Sequence, residues 1–70
     1  MTGGGPMTPA KVRALRESRG ETQGAFGASV AAVLRRQPIA RETVNRWESG
    51  ALDPARSDVP WHIVEPMLRS

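Results

Sequence analysis

Arg41-Glu42-Thr43-Val44-Asn45-Arg46-Trp47-Glu48-Ser49-Gly50 is the stretch that carries the reading of this chain. Val44 and Trp47 stand three apart and share one helical face, an apolar stripe that must turn inward. Arg41, Glu42, Asn45 and Arg46 fall on the remaining surface, and Gly50 supplies a stop just past the last periodic residue. Arg and Asn are the side chains that pair bidentately with guanine and adenine edges in a major groove. The same residues also suit a solvated surface helix, with Glu42 and Arg46 paired at i,i+4 for a few tenths of a kcal/mol.

Upstream, Arg36-Gln37-Pro38 interrupts any helix, because Pro38 cannot continue one and pushes Gln37 towards an extended conformation. Ile39 then stands where a turn residue would plug the core between two helices. Before it, Phe26, Val30, Val33 and Leu34 recur on one helical face, which predicts a helix from Gln23 to about Arg35 with Thr22 as its cap. Gly24 and Gly27 weaken this helix by up to about 1 kcal/mol each, a cost that makes sense if another backbone passes close to Gly27. Thr8-Pro9 opens an earlier helix, Val12 and Leu15 face inward, and Gly20 ends it. The third helix, about residues 40–49, lacks a capping side chain, so its start is expected to be loose. After Gly50 comes a loop, with Ser57 or Asp58 as candidate cap of a last short helix and Pro66 expected to kink or split it.

The sequence thus predicts an all-α chain, a compact bundle of four to five short helices containing a helix-turn-helix. Residues 1–7, rich in glycine, are expected to be a flexible arm, and residues 8–70 a single domain with a C-terminal helical tail. Seventy residues provide one modest core. There is no cysteine and only one histidine, His62, so no disulfide framework or metal site is expected. An enzyme is disfavoured by the lack of a plausible nucleophile–base set or phosphate-cradling loop, and no cofactor or small-molecule ligand is expected. No run approaches the roughly 20 apolar residues needed to span a bilayer, which leads to the expectation of a cytoplasmic protein without a membrane partner. The net charge of +3 is uneven: residues 9–50 hold eight basic and four acidic side chains, and the remainder two and three. Nine of the ten basic residues are arginine, suited to phosphate and base contacts, although a coding bias would produce the same excess.

In order along the chain, Leu15-Arg16, Gly20, Thr22-Gln23, Phe26-Gly27, Ile39 and Thr43–Gly50 resemble the Cro/repressor-type, XRE-like helix-turn-helix family. The resemblance covers roughly residues 12–54. It implies base reading by Arg41, Glu42, Thr43, Asn45 and Arg46. It further implies phosphate binding at Thr22 and Gln23, where a helix N-terminus attracts anions, and an internal ion pair between Arg16 and Glu48. The chain departs from the pattern by an excess of about seven residues between Gln23 and Trp47, close to two helical turns. The longer turn would carry Arg35 and Arg36, either as a solvated pair or as phosphate contacts.

Trp61, Ile63, Val64, Met67 and Leu68 concentrate apolar surface in the last ten residues. Part of it should close the core, and the uncovered part is a candidate interface for a twofold dimer. The resemblance therefore implies a sequence-specific regulator of transcription, a repressor from a phage or bacterium that binds double-stranded DNA as a homodimer on the nucleoid. The alternative is a helical interaction module, or an antitoxin-like adaptor, acting through the C-terminal patch.

Overall fold

Pro9–Ser18 forms the first helix, α1, and both its ends follow from local chemistry. The Thr8 hydroxyl accepts from the Lys11 amide at 3.2 Å, and Pro9 takes the first helical position, where a missing N–H costs nothing. At the other end Gly20, at φ +66°, lets the chain fold back, with the Glu21 amide donating to the Arg16 carbonyl and the Gly20 amide to the Glu17 carbonyl. In the computed structural model, which describes residues 6–70, three further helices follow: α2 (Gln23–Leu34), α3 (Arg41–Ser49) and α4 (Trp61–Arg69), with a 3₁₀ turn at Pro54–Arg56. No strand occurs among the described residues, and no helix there is long and apolar enough to cross a membrane.

Helix α2 starts on a Thr22 cap, whose hydroxyl accepts from the Ala25 amide at 3.1 Å. Its end repeats the fold-back of α1, with bonds from the Arg36 amide to Ala31 and from the Arg35 amide to Ala32. Here the left-handed position is held by Arg35 (φ 56°, ψ 47°) instead of glycine. That choice costs an L-residue roughly 1 kcal/mol or more. Helix α3 begins after Ala40 with no side-chain cap, as its sequence predicts, and stops at Gly50 (φ 87°).

The core is built where the four helices meet. Val12, Leu15, Phe26, Val30, Val44, Trp47, Val59, Trp61, Val64 and Leu68 are all buried, and Val33, Leu34 and Ile39 pack against them. Full burial of a side chain such as Phe26 is worth about 1.5–3 kcal/mol. Trp47 and Trp61 meet edge to face, with centroids 5.3 Å apart and planes at 76°. The indole of Trp61 donates to the Pro54 carbonyl at 2.8 Å, so its polar atom is satisfied inside. Gly27 marks the closest approach of two backbones: a Cβ there would run into the Ile39 carbonyl, while the Ile39 amide donates to the Gly27 carbonyl at 3.4 Å. The expected passage of another backbone at Gly27 is thus what the fold uses, and Ile39 is its plug.

Three expectations are corrected at the ends of the chain. The flexible arm expected over residues 1–7 lies outside the described residues up to residue 5, but Met7 belongs to the core, 4% exposed. Neither Ser57 nor Asp58 caps α4. The Ser57 hydroxyl bonds within the 3₁₀ turn to Pro54, Asp58 pairs with Arg36, and α4 starts after Pro60 without a side-chain cap. Pro66 does not split α4, which runs unbroken from Trp61 to Arg69. Proline removes one helical donor and bears on a single earlier carbonyl, and Val64 and Leu68, buried on either side of it, hold the turn. Arg19 adds a tie by donating to the Leu68 carbonyl at 2.6 Å, one of the acceptors a helix C-terminus leaves open.

Candidate nucleic-acid interface

The surface of α3 is organised by its contact with the start of α2. Arg41, Asn45 and Glu48 follow one another at helical spacings on the side that meets α2. The amide of Gln23 reaches Asn45 at 3.3 Å and Glu48 at 3.4 Å, and the Arg41 Cβ lies 4.0 Å from where a Cβ on Gly24 would be. Glu42 and Arg46 stand exposed on the neighbouring stripe, and Thr43 is half-buried. The result is one continuous patch made of Thr22, Gln23 and Gly24 at the N-terminus of α2 and Arg41, Glu42, Asn45 and Arg46 on α3. Thr22 caps Ala25, whereas the amides of Gln23 and Gly24 have no protein acceptor among the described residues. Such open N–H groups at a positive helix end suit an anion.

Beneath the patch lies the ion pair that the family resemblance implied. Arg16 Nε donates to Glu48 Oε2 at 2.7 Å and its Nη2 to Oε1 at 3.1 Å, a bidentate fork, while Nη1 donates to the Glu21 carbonyl at 3.0 Å. The two side chains are only 16% and 7% exposed. Burial alone would push the Glu48 carboxyl up, but the bonds from Arg16 and Gln23 outweigh it and hold the group below the ordinary carboxylate range. Nearby, Glu21 is also held low, first by the bond from Arg19 and further by the Ser29 hydroxyl.

Most of the positive charge is already spoken for. Arg13, Arg16, Arg19, Arg36, Arg56 and Arg69 each have a carboxylate within 4.0 Å. The basic side chains without one, among the described residues, are Lys11, Arg35, Arg41 and Arg46. Glu42 and Arg46, both exposed, are not paired with each other within 4.0 Å. Arg36 and Arg35, adjacent in sequence, have separate fates. Arg36 is committed to Asp58 through two bonds of 3.0 and 3.2 Å, which lowers the Asp58 carboxyl, whereas Arg35 projects alone from its left-handed position.

The C-terminal candidates also divide. Trp61, Val64 and Leu68 are buried in the chain's own core and leave no surface for a second copy. Ile63 and Met67, one helical turn apart on the neighbouring face of α4, are 50% and 55% exposed. A concavity of about 810 Å³ lined by Met7, Val59, Trp61 and Pro66, among others, shares no residue with α3. The bridging part played by Gln23 and the clasp of Asp58 on Arg36 were missed in the sequence, since their partners lie at least 22 residues away and no local spacing announces them. Compared with family models, with curated proteins and with solved structures, the chain matches none.

Proposed function

We propose that this chain is a sequence-specific double-stranded-DNA-binding regulator, in the manner of the Cro/repressor-type helix-turn-helix proteins that its residues resemble. The observation that carries the reading is the distribution of uncommitted cations: among the described residues Arg41 and Arg46 on α3, Arg35 at the C-terminal end of α2 and Lys11 on α1 have no carboxylate within 4.0 Å, while the other six arginines each have one. With α3 in the major groove, Arg41, Asn45 and Arg46 face base edges, with Glu42 and Thr43 close by. The open amides of Gln23 and Gly24 and the guanidinium of Arg35 then serve phosphates. The left-handed backbone at Arg35 supports a functional role, because glycine would fill that position at lower cost. Arg36, held by Asp58, is left out of the phosphate set.

A twofold dimer, formed through the exposed Ile63 and Met67, presents two α3 helices to a palindromic site. Fluorescence anisotropy on a duplex selected from a random pool tests the DNA reading. Raising salt from about 50 to 200 mM weakens binding by orders of magnitude if several phosphates are contacted. Absence of binding to any duplex at low salt ends the proposal. The same exposed pair on α4 favours the second reading, an adaptor that docks on a protein, and the two are separated by mutation. A regulator loses affinity for its target through Arg41→Ala, an adaptor through Met67→Ala.

A further inference from the structure

The turn between α1 and α2 is tied to the end of α4 by one guanidinium. Arg19, which closes α1, donates from Nε to Glu21 Oε1 at 2.8 Å and from Nη1 to the Leu68 carbonyl, 49 residues away, at 2.6 Å. The carboxylate it grips is itself fixed, because Glu21 Oε2 accepts from the hydroxyl of Ser29 in α2. The Glu21 carbonyl accepts from Arg16 at 3.0 Å, and the next residue, Thr22, is the cap of α2. The Arg19 and Glu21 side chains are 29% and 18% exposed, so water has limited access to the pair. A guanidinium is planar, with donors in fixed directions, so its two partners cannot move independently. The Leu68 carbonyl is one of the acceptors that a helix C-terminus leaves open, at the negative end of the helix dipole. Shifting the last turn of α4 by about one ångström either stretches this bond past the usual limit of about 3.2 Å or drags Arg19 along. The drag is delivered to Glu21, and through it to the residues that open α2.

We propose that Arg19 is a positioning residue that couples the last turn of α4 to the start of α2, so that loosening or capturing α4 changes the affinity of the chain for DNA. The inference rests on the DNA-binding reading, in which the open amides of Gln23 and Gly24 face phosphates. Arg19 itself touches neither base nor phosphate. Its part is to hold the turn from which those amides are presented, and its second grip makes α4 a party to their placement. Met67, exposed on α4, immediately precedes Leu68, so whatever binds the face of Ile63 and Met67 acts on the turn that Arg19 holds.

Resonances of the free chain and binding to duplex DNA test the coupling separately. In the ¹⁵N-labelled protein, Arg69→Gly loosens the last turn of α4 by removing the pair with Glu65 and adding a residue of low helix propensity. The amide resonances of Gln23 and Gly24 are expected to shift with Arg69→Gly in the wild-type chain and to stay in place when Arg19→Met is already present. Equal shifts in both backgrounds, or none in either, overturn the coupling through Arg19. On duplex DNA, Arg19→Met is expected to weaken binding about three- to tenfold for all sequences alike, with the salt slope unchanged. Unchanged affinity overturns the proposal, and so does a slope lowered by about one, which would make Arg19 a phosphate contact. Arg19→Lys keeps the charge without the fork and is expected to lose as much affinity as Arg19→Met, whereas full retention by lysine overturns the bridge. A wild-type chain that binds no duplex ends the DNA reading and the consequence for affinity with it, while the resonances still judge the tie between α4 and α2.

Discussion

Glu48→Ala strikes the joint between the core and the candidate interface. The substitution deletes two bonds to Arg16, at 2.7 and 3.1 Å, and one from Gln23, and leaves a guanidinium that is 16% exposed with one remaining acceptor, the Glu21 carbonyl. Breaking a buried pair from one side costs about 3–5 kcal/mol, since the orphaned charge keeps its desolvation penalty. The retained carbonyl bond and partial water access place this case near the lower end, about 3 kcal/mol. A domain of 70 residues has a total stability of roughly 4–10 kcal/mol, so the loss takes a large share of it. At about 4–8 °C per kcal/mol, the melting temperature falls by roughly 12–24 °C, readable by circular dichroism. Replacing both partners by apolar residues (Arg16→Met with Glu48→Leu) recovers most of the loss, because no unpaired charge remains. A fall of less than about 3 °C for Glu48→Ala, well under 1 kcal/mol, would refute the reasoning.

Other outcomes follow from the same geometry. Glu48, Glu21 and Asp58 all have folded-state carboxyls below their ordinary values. Their contribution to stability is complete above the unfolded pKa of about 4 and is lost as pH falls through the lower folded values. Melting temperatures recorded from pH 7 downwards should stay level to about pH 5 and then decline, and Glu48→Gln should flatten that decline. Gly27→Ala drives a Cβ into the Ile39 carbonyl, a backbone atom that no rotamer change can move, and should cost about 2–3 kcal/mol in urea unfolding; an unchanged midpoint would show that α2 and α3 can separate freely. Arg35→Gly relieves a left-handed arginine and should raise stability by up to about 1 kcal/mol. The same change should lower the salt slope of DNA binding by about one and weaken all duplexes alike, and a slope that does not move removes Arg35 from the phosphate set.

The helices α1 to α3 were legible because their ends are written in local chemistry. Thr8-Pro9 and Thr22 announce starts, Gly20 and Gly50 announce stops, and Pro38 forbids continuation. The tail was legible only by half. Trp61, Val64 and Leu68 form one stripe and Ile63 with Met67 another, and both have helical spacing. Which of them turns inward depends on Pro54 accepting the Trp61 indole and on the edge of Trp47, neither of which is local. Sites follow the same division. The residues exposed on α3 could be named from periodicity, whereas the pairing of Arg16 with Glu48, 32 residues apart, came only through the family resemblance. That of Arg36 with Asp58, 22 residues apart, came from nothing in the sequence.

The contact of Gly27 with Ile39 has one more consequence. The turn that leads into α3 is set there by main chain against main chain, at Ile39, while the nearest atom of α3 itself is Val44 Cγ2, 3.4 Å from where a Cβ on Gly27 would stand. Apolar exchanges at Val30 will therefore raise or lower the melting temperature while the entry to α3 stays in place, whereas a larger side chain at Val44 would press on Gly27 itself. Robustness and aim become separable traits in such a molecule: the interior away from Gly27, Ile39 and Val44 can drift, or be redesigned for heat resistance, without moving the point where the chain enters α3.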